Sequence, residues 1–303
     1  MIDLHNHSNY SDGLYEPEKV VENAVRDGLS AIALCDHDCT WGLEKAKRKA
    51  EELKIGFVPG VELTVNVSGD KDHADESHML GLFVEPTEHL EDIHNRIKQA
   101  KDAFSYDLAE AMRKYRGLPV YVEDMRKSFH GAISMGAFGE YMVQHGLIKK
   151  FSDRKKITKE LIAEGKLPPK PEFGISAEEA IEAIHGAGGF AILAHPYRMK
   201  LEDKVLFERI KEYKAKGLDG LECYYKKYKE DEAEKIRKSC EFAHILGLLI
   251  SGGSDYHRDS EKGRFQNGGE IPDQVLADLK AARVVRNAEY QRRLVASYGR
   301  VRE

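Results

Sequence analysis

Histidines and carboxylates stand where successive apolar runs of this chain end, and that placement limits the folds open to it more than any other feature. His5 and His7 close MIDLHNH, His37 closes LSAIALCDHD, Glu62 closes GFVPGVE, His195 closes GFAILAHP, and Asp255 with His257 close LLISGGSDYH. His78 stands instead at the start of HMLGLFV. One such histidine would carry little information. Several strands delivering metal-ligating side chains to one rim describe a polynuclear metal site on a parallel barrel, whose post-strand loops meet at the C-terminal face.

The rest of the chain supplies the strands and helices such a barrel needs. Apolar runs at 2–7, 29–36, 57–63 and 78–84 alternate with helical patterns. In EPEKVVENAVRDG, Val20, Val21, Ala24 and Val25 share one helical face between Pro17 and a terminating Gly28. From about 88 to 173 this rhythm stops, and helical segments follow one another until the prolines of LPPKPEFG; LPVYVEDM within it reads as a short strand or as a loop entering a helix. Strand patterns resume at 190–195, 218–225 and 248–253, each separated by a helix, and DQVLADLKAA forms a last helix. The expected fold is α/β, a distorted seven-stranded (β/α)7 TIM-like barrel of mostly parallel strands formed by 1–87 and 174–303, with a helical insertion or cap domain at 88–173. An open doubly wound sheet fits less well, because its ligands would gather at one switch point.

Composition narrows the partners. The 303 residues carry a net charge of -5, which argues against broad adhesion to extended nucleic-acid duplexes or anionic membranes. No apolar run approaches the roughly 18 to 20 residues of a membrane span, and no leader pattern precedes His5, so the chain is expected to begin near Met1 and to work in the cytoplasm. Cys35, Cys39, Cys223 and Cys240 form no C-x-x-C pair and are expected to be reduced; Cys39, beside His37, is either a soft ligand or a small buried loop residue.

Two residues apart on a strand, His5 and His7 point to the same face and can share a metal. Asp12, the Asp36-His37-Asp38 triplet and Glu62 each have an ordinary explanation as a cap, a solvated turn or a surface carboxylate. Their occurrence together at strand ends favours a metal centre. Asp36 and Asp38 either orient His37 or cap a turn, and Glu222 is either a carboxylate behind the ligands or a buried hydrogen-bonded one. Trp41, Tyr197 and Tyr256 flank the ligand motifs, where an aromatic packs more often than it recognises.

The runs HNHSNYSDG, ALCDHDCTWG, PGVEL, SHMLG, LAHP and GSDYH, in this order, resemble the PHP (polymerase and histidinol phosphatase) family of metal-dependent phosphoesterases. The resemblance implies two or three divalent metal ions, Mn, Fe or Zn. His5, His7, Glu62 and Asp255 would hold the first, Glu62, His78 and His195 the second, and Asp12, His37 and His257 the third. It places Glu62, Asp255 and His195 in the catalytic set. A carboxylate bridging two cations about 3.5 to 4 Å apart would position a hydroxide able to attack phosphorus at neutral pH. His73, five residues before His78, is the rival for that position.

The implied activity is hydrolysis of a phosphomonoester on a small phosphorylated substrate, possible forms being a nucleotide or a short oligonucleotide. Alternatives are a 5′-3′ exonuclease-type activity on short oligonucleotides, a histidinol-phosphate phosphatase, an amidohydrolase acting on a non-phosphate bond, and a non-catalytic metal-binding module. Arg198 is the candidate phosphate clamp, with a surface salt bridge as its plainer role. With its helical insertion the chain resembles most the stand-alone subgroup that hydrolyses nucleoside bisphosphates or the 5′ ends of short oligonucleotides, whose members often carry an Arg-Pro-His-like stretch in the insertion. The corresponding segment here, Ile133-Ser134-Met135-Gly136-Ala137-Phe138, has neither arginine nor histidine, leaving Arg126, Lys127 and His130 upstream as substitutes.

Overall fold

The structure, a computed structural model, describes residues 1–66, 77–225, 227, 231–259 and 271–299. Its strands are β1 (Ile2–Asp3), β2 (Ala31–Leu34), β3 (Gly56–Thr64), β4 (His78–Leu82), β5 (Phe190–Leu193), β6 (Gly220–Tyr225) and β7 (Leu249–Gly253). They form one seven-stranded sheet in sequence order. Helices α1 (Pro17–Arg26) and α2 (Leu43–Leu53) follow β1 and β2, while α7 (Ala177–Gly186), α8 (Asp203–Ala215) and α9 (Glu232–Leu246) frame β5, β6 and β7. The sheet curls until its edges meet, where the Leu4 N–H donates to Gly252 O at 3.1 Å and the His7 N–H to Tyr256 O at 2.8 Å. The result is the expected distorted barrel.

Strand alternation builds two layers. Ile32 and Leu34 point outward to pack with Val20, Val21 and Ala24 of α1, whereas Ala31, Ala33 and Cys35 face an interior cluster with Leu4, Val58, Leu80 and Ile192. Helix α10 (Asp273–Gly299) adds Val275, Leu276 and Leu279 to that interior. Val25 departs from the expected face of α1: it is exposed, and the helix buries a narrower stripe.

Four neighbouring pairs are parallel, but β4 runs antiparallel to both β3 and β5. The polar connection from β3 to β4 contains no crossover helix in the sequence pattern, and antiparallel pairing needs none. The start of β4 therefore lies at the rim where its neighbours end, which is why His78 opens its strand while the other candidate ligands stand near or beyond the ends of theirs.

Between β4 and α7 run α3 (Glu88–Arg116), α4 (Val122–Met125), α5 (Met135–Gln144) and α6 (Phe151–Ala163). The segment LPVYVEDM enters the short helix α4 and is not a strand. The 29-residue α3 serves two cores. Its Leu90, Ile93 and Ile97 pack on the barrel, and its Phe104, Leu108 and Met112 pack with Phe138, Met142 and Leu161 of the following helices and with Phe129 between α4 and α5. Among the described residues, no helix is long and apolar enough to cross a membrane.

Candidate metal centre

Glu62 lies near the end of β3, fully buried, with five imidazoles around its carboxylate. Oε2 is 3.2 Å from His5 Nε2, 3.2 Å from His7 Nε2 and 3.1 Å from His37 Nδ1. Oε1 is 3.1 Å from His78 Nδ1 and 3.0 Å from His195 Nε2. Strand β1 ends at Asp3, so His5 and His7 sit beyond it in an extended stretch where Asn6 bridges to Tyr256. Their two-residue spacing still keeps both rings on one side, with centroids 5.1 Å apart.

Two more carboxylates complete the rim. Asp255 follows β7 and turns its oxygens in different directions. Oδ1 faces His7 Nε2 and His257 Nδ1, each at 3.3 Å, whereas Oδ2 faces Tyr225 OH at 3.0 Å, Lys227 Nζ at 3.2 Å and Arg198 Nη1 at 3.4 Å. Asp12 Oδ1 lies 3.1 Å from His257 Nε2 and 3.8 Å from His37 Nε2. Both His195, at φ 29°, and Asp255, at φ 52°, have left-handed backbone, a conformation that turns the chain sharply at the ends of β5 and β7. Gly253 makes this closure possible, because a Cβ there would stand 2.2 Å from His5 Cβ.

The donor set suits cations. His5 Nε2, His7 Nε2, His37 Nδ1, His195 Nδ1, Glu62 Oε2 and Asp12 Oδ1 are buried and make no hydrogen bond among the described residues. Leaving so many polar atoms unsatisfied is costly unless a ligand takes them up. Their ligand atoms gather as His5, His7 and Asp255; as His7, Asp12, His37 and His257; and as His37, Glu62 and His78, each group lying within 4.8 Å. His195 joins the last group through its contacts with Glu62 and, at 3.2 Å, with His78 Nδ1. Burial holds the His37 and His195 imidazoles down to about 3, so both offer neutral lone pairs at ordinary pH. His73 lies outside the described residues.

Behind this layer, Glu222 is buried, with Oε1 2.9 Å from His5 Nδ1 and Oε2 accepting the His195 backbone N–H at 2.7 Å. It therefore backs two of the histidines that face Glu62. Asp36 and Asp38 do not orient His37. Asp36 accepts from Ser8 N at 2.7 Å, Ser8 Oγ at 2.6 Å and Ser11 Oγ at 2.8 Å, which fixes the loop carrying Asp12. Asp38 accepts from Lys101 Nζ at 2.6 Å and from Thr64 N at 2.6 Å, tying α3 to the end of β3. Cys39 is buried and belongs to none of the three ligand groups.

A cavity of about 1140 Å³ opens from the centre toward α5, α6 and the loop through Phe173, and Arg198 is on its wall. Arg126, Lys127 and His130 are not. Arg126 pairs with Asp102, Lys127 with Asp124, and His130 with Glu16 at 3.1 Å, which removes them as substitutes for the missing basic motif. Trp41 bonds Glu91 and Tyr197 bonds Asp203 away from the cavity, while Tyr256 reaches its wall but is buried, with its hydroxyl held by Asn23 and Asp259. Lys227 escaped the sequence reading because neighbouring lysines on a polar stretch look like a solvated surface.

The PHP domain matches residues 3–167. The chain belongs to the PHP family. It is 30% identical over 256 residues to a 5′-3′ exoribonuclease of Haemophilus influenzae, covering 84% of this chain and 89% of that protein. It is also 30% identical over 270 residues to a 3′,5′-nucleoside bisphosphate phosphatase of Chromobacterium violaceum, covering 87% and 89%. A solved structure from Bifidobacterium adolescentis, assigned as a metal-dependent phosphoesterase, superimposes with a TM-score of 0.73 at 25% identity over 92% of this chain and 94% of that one. PHP membership, together with the centre around Glu62, makes the chain a hydrolase of phosphoester bonds that depends on divalent metal.

Proposed function

We propose that this phosphoester hydrolase removes phosphate from a small nucleotide-like phosphomonoester. The observation that carries the reading is the position of Glu62, one buried carboxylate within 3.2 Å of five imidazole nitrogens. His5, His7, Glu62 and Asp255 would hold one cation, Glu62, His78 and His195 a second, and Asp12, His37 and His257 a third, with Glu62 shared by the first two. When bound, the cations acidify a water and offset charge on the transferring phosphoryl group. Glu222 keeps the His5 ring turned so that Nε2 faces the centre. Arg198 stands beside Asp255 on the cavity wall, where a guanidinium can meet phosphate oxygens with paired donors. The helices of 88–173 act as a cap over the leaving group.

A second reading, release of nucleotides from the 5′ end of short oligonucleotides, is favoured by the size of the cavity and by the exoribonuclease relative. The free cysteines support a cytoplasmic setting. The test is a panel of an aryl phosphate, nucleoside mono- and bisphosphates, 5′-phosphorylated oligonucleotides, histidinol phosphate, an amide and a lactone, assayed with Mn and with chelator. Chelator-sensitive release of phosphate from a nucleotide supports the proposal, and activity confined to amide or lactone substrates contradicts it.

A further inference from the structure

The cap helix α6 brings an unusual amount of positive charge to the cavity that holds the metal centre. Arg154, Lys155, Thr158, Lys159 and Ile162 fall on one side of this helix at i, i+1, i+4, i+5 and i+8, and all five line the cavity. Lys156 is rotated away from that side, is not on the wall, and lies 4.0 Å from Glu160. Lys155 and Lys159, by contrast, have no ion pair among the described residues. Both are exposed on the cavity wall, and cations placed there without a carboxylate partner leave their charge to a ligand. Phe151 and Phe173 on the same wall add apolar surface of the kind a base or ribose covers.

The nearest part of the cap cannot provide this charge. At Gly136, on the first turn of α5, an added Cβ would stand 1.9 Å from Asp12 Oδ2. No side chain fits at that point, and Met135 and Ala137 beside it are uncharged. In a phosphomonoester, everything except the transferred phosphoryl group is the leaving group. An anion held on α6 while phosphorus reacts at the metals must therefore belong to that leaving group.

We propose that Lys155 and Lys159 form a subsite for a second, non-reacting phosphate of the substrate. This rests on the phosphoesterase reading of the same centre. The second phosphate comes either from a nucleoside carrying two phosphates or from the next linkage of a short oligonucleotide.

The experiment compares kcat/KM for an aryl phosphate, a nucleoside 3′,5′-bisphosphate and a 5′-phosphorylated dinucleotide in the Mn-loaded wild-type protein, the Lys155→Gln/Lys159→Gln double variant and the Lys156→Gln control. In the double variant, kcat/KM for a two-phosphate substrate relative to the aryl phosphate should fall by about 10- to 100-fold, mainly through KM. The control should keep the wild-type ratio. Whichever two-phosphate substrate falls further identifies the source of the second phosphate. An unchanged ratio in a double variant that still hydrolyses the aryl phosphate overturns the subsite and leaves the phosphoesterase reading standing. A wild-type protein that hydrolyses none of the three overturns that reading and the subsite with it.

Discussion

Glu222 Oε1 lies 2.9 Å from His5 Nδ1, and neither side chain is exposed to solvent. Because the other Glu222 oxygen accepts the His195 backbone N–H, one carboxylate at the end of the barrel sets both a ring tautomer and the sharp turn after β5. Burial pushes the Glu222 carboxyl above its usual range, opposed by His5. This carboxylate is thus an expensive group to bury, kept in place by what it orients.

Replacing Glu222 by Gln keeps the shape but weakens the acceptor at His5. Metal affinity should fall by about 10- to 100-fold. Equilibrium dialysis against buffered Mn measures this directly, and unchanged affinity would show that the ring is held by packing alone.

Gly136→Ala puts a methyl group into Asp12. Overpacking of this sort costs typically about 1 to 3 kcal/mol. Part of the strain should be relieved by shifting Asp12, so the variant should retain less metal than wild type as well as melting earlier. A lower Tm with full metal content would separate cap packing from ligand placement.

How far these features were legible from sequence differed with the physics behind each. Candidate ligands at strand ends could be read from the sequence because a parallel barrel makes a one-dimensional pattern, a polar residue closing an apolar run, report a three-dimensional rim. His78 broke the pattern, and the reason lies in strand direction, which pairing decides and local sequence does not. Glu222 could be singled out but not resolved between two roles, since its partners are 217 and 27 residues away. Lys155 and Lys159 were invisible for a different reason: a lysine-rich helix reads as solvated until the cavity beside it is seen. Asp36 and Asp38 flank a candidate ligand in sequence yet bond elsewhere, because alternate residues leaving a strand point to opposite sides.

Proton release should accompany metal uptake. Burial alone would depress the His7 imidazole, but Asp255 and Glu62 outweigh it and lift the ring to about 9. His5 is raised in the same direction, Glu62 and Glu222 outweighing its burial, so below that pH protons occupy lone pairs a cation needs and apparent affinity should rise as pH climbs from about 6 toward 9. His37 and His195, already neutral, add no slope in this window. Titration calorimetry in buffers of different ionisation heat should give buffer-dependent enthalpies near pH 7; identical enthalpies would contradict the assignment.

Arg198→Ala should lower kcat/KM for phosphomonoesters by roughly 10- to 1000-fold while metal content stays constant. Steady-state kinetics on the metal-loaded variant decides this. An arginine that only balances the charge of Asp255 would leave kcat/KM near wild type, and Lys227, 3.2 Å from the same oxygen, would then carry that role.

The most direct test is metal content and phosphate release measured in the same samples of wild-type and Glu62→Gln protein. Because Glu62 joins the two halves of the centre, the variant should bind fewer divalent ions per chain by elemental analysis and lose at least about 100-fold in chelator-sensitive hydrolysis of an aryl phosphate. A variant with wild-type metal content and wild-type hydrolysis would contradict the account of Glu62 as the bridging carboxylate of a phosphoester-cleaving centre.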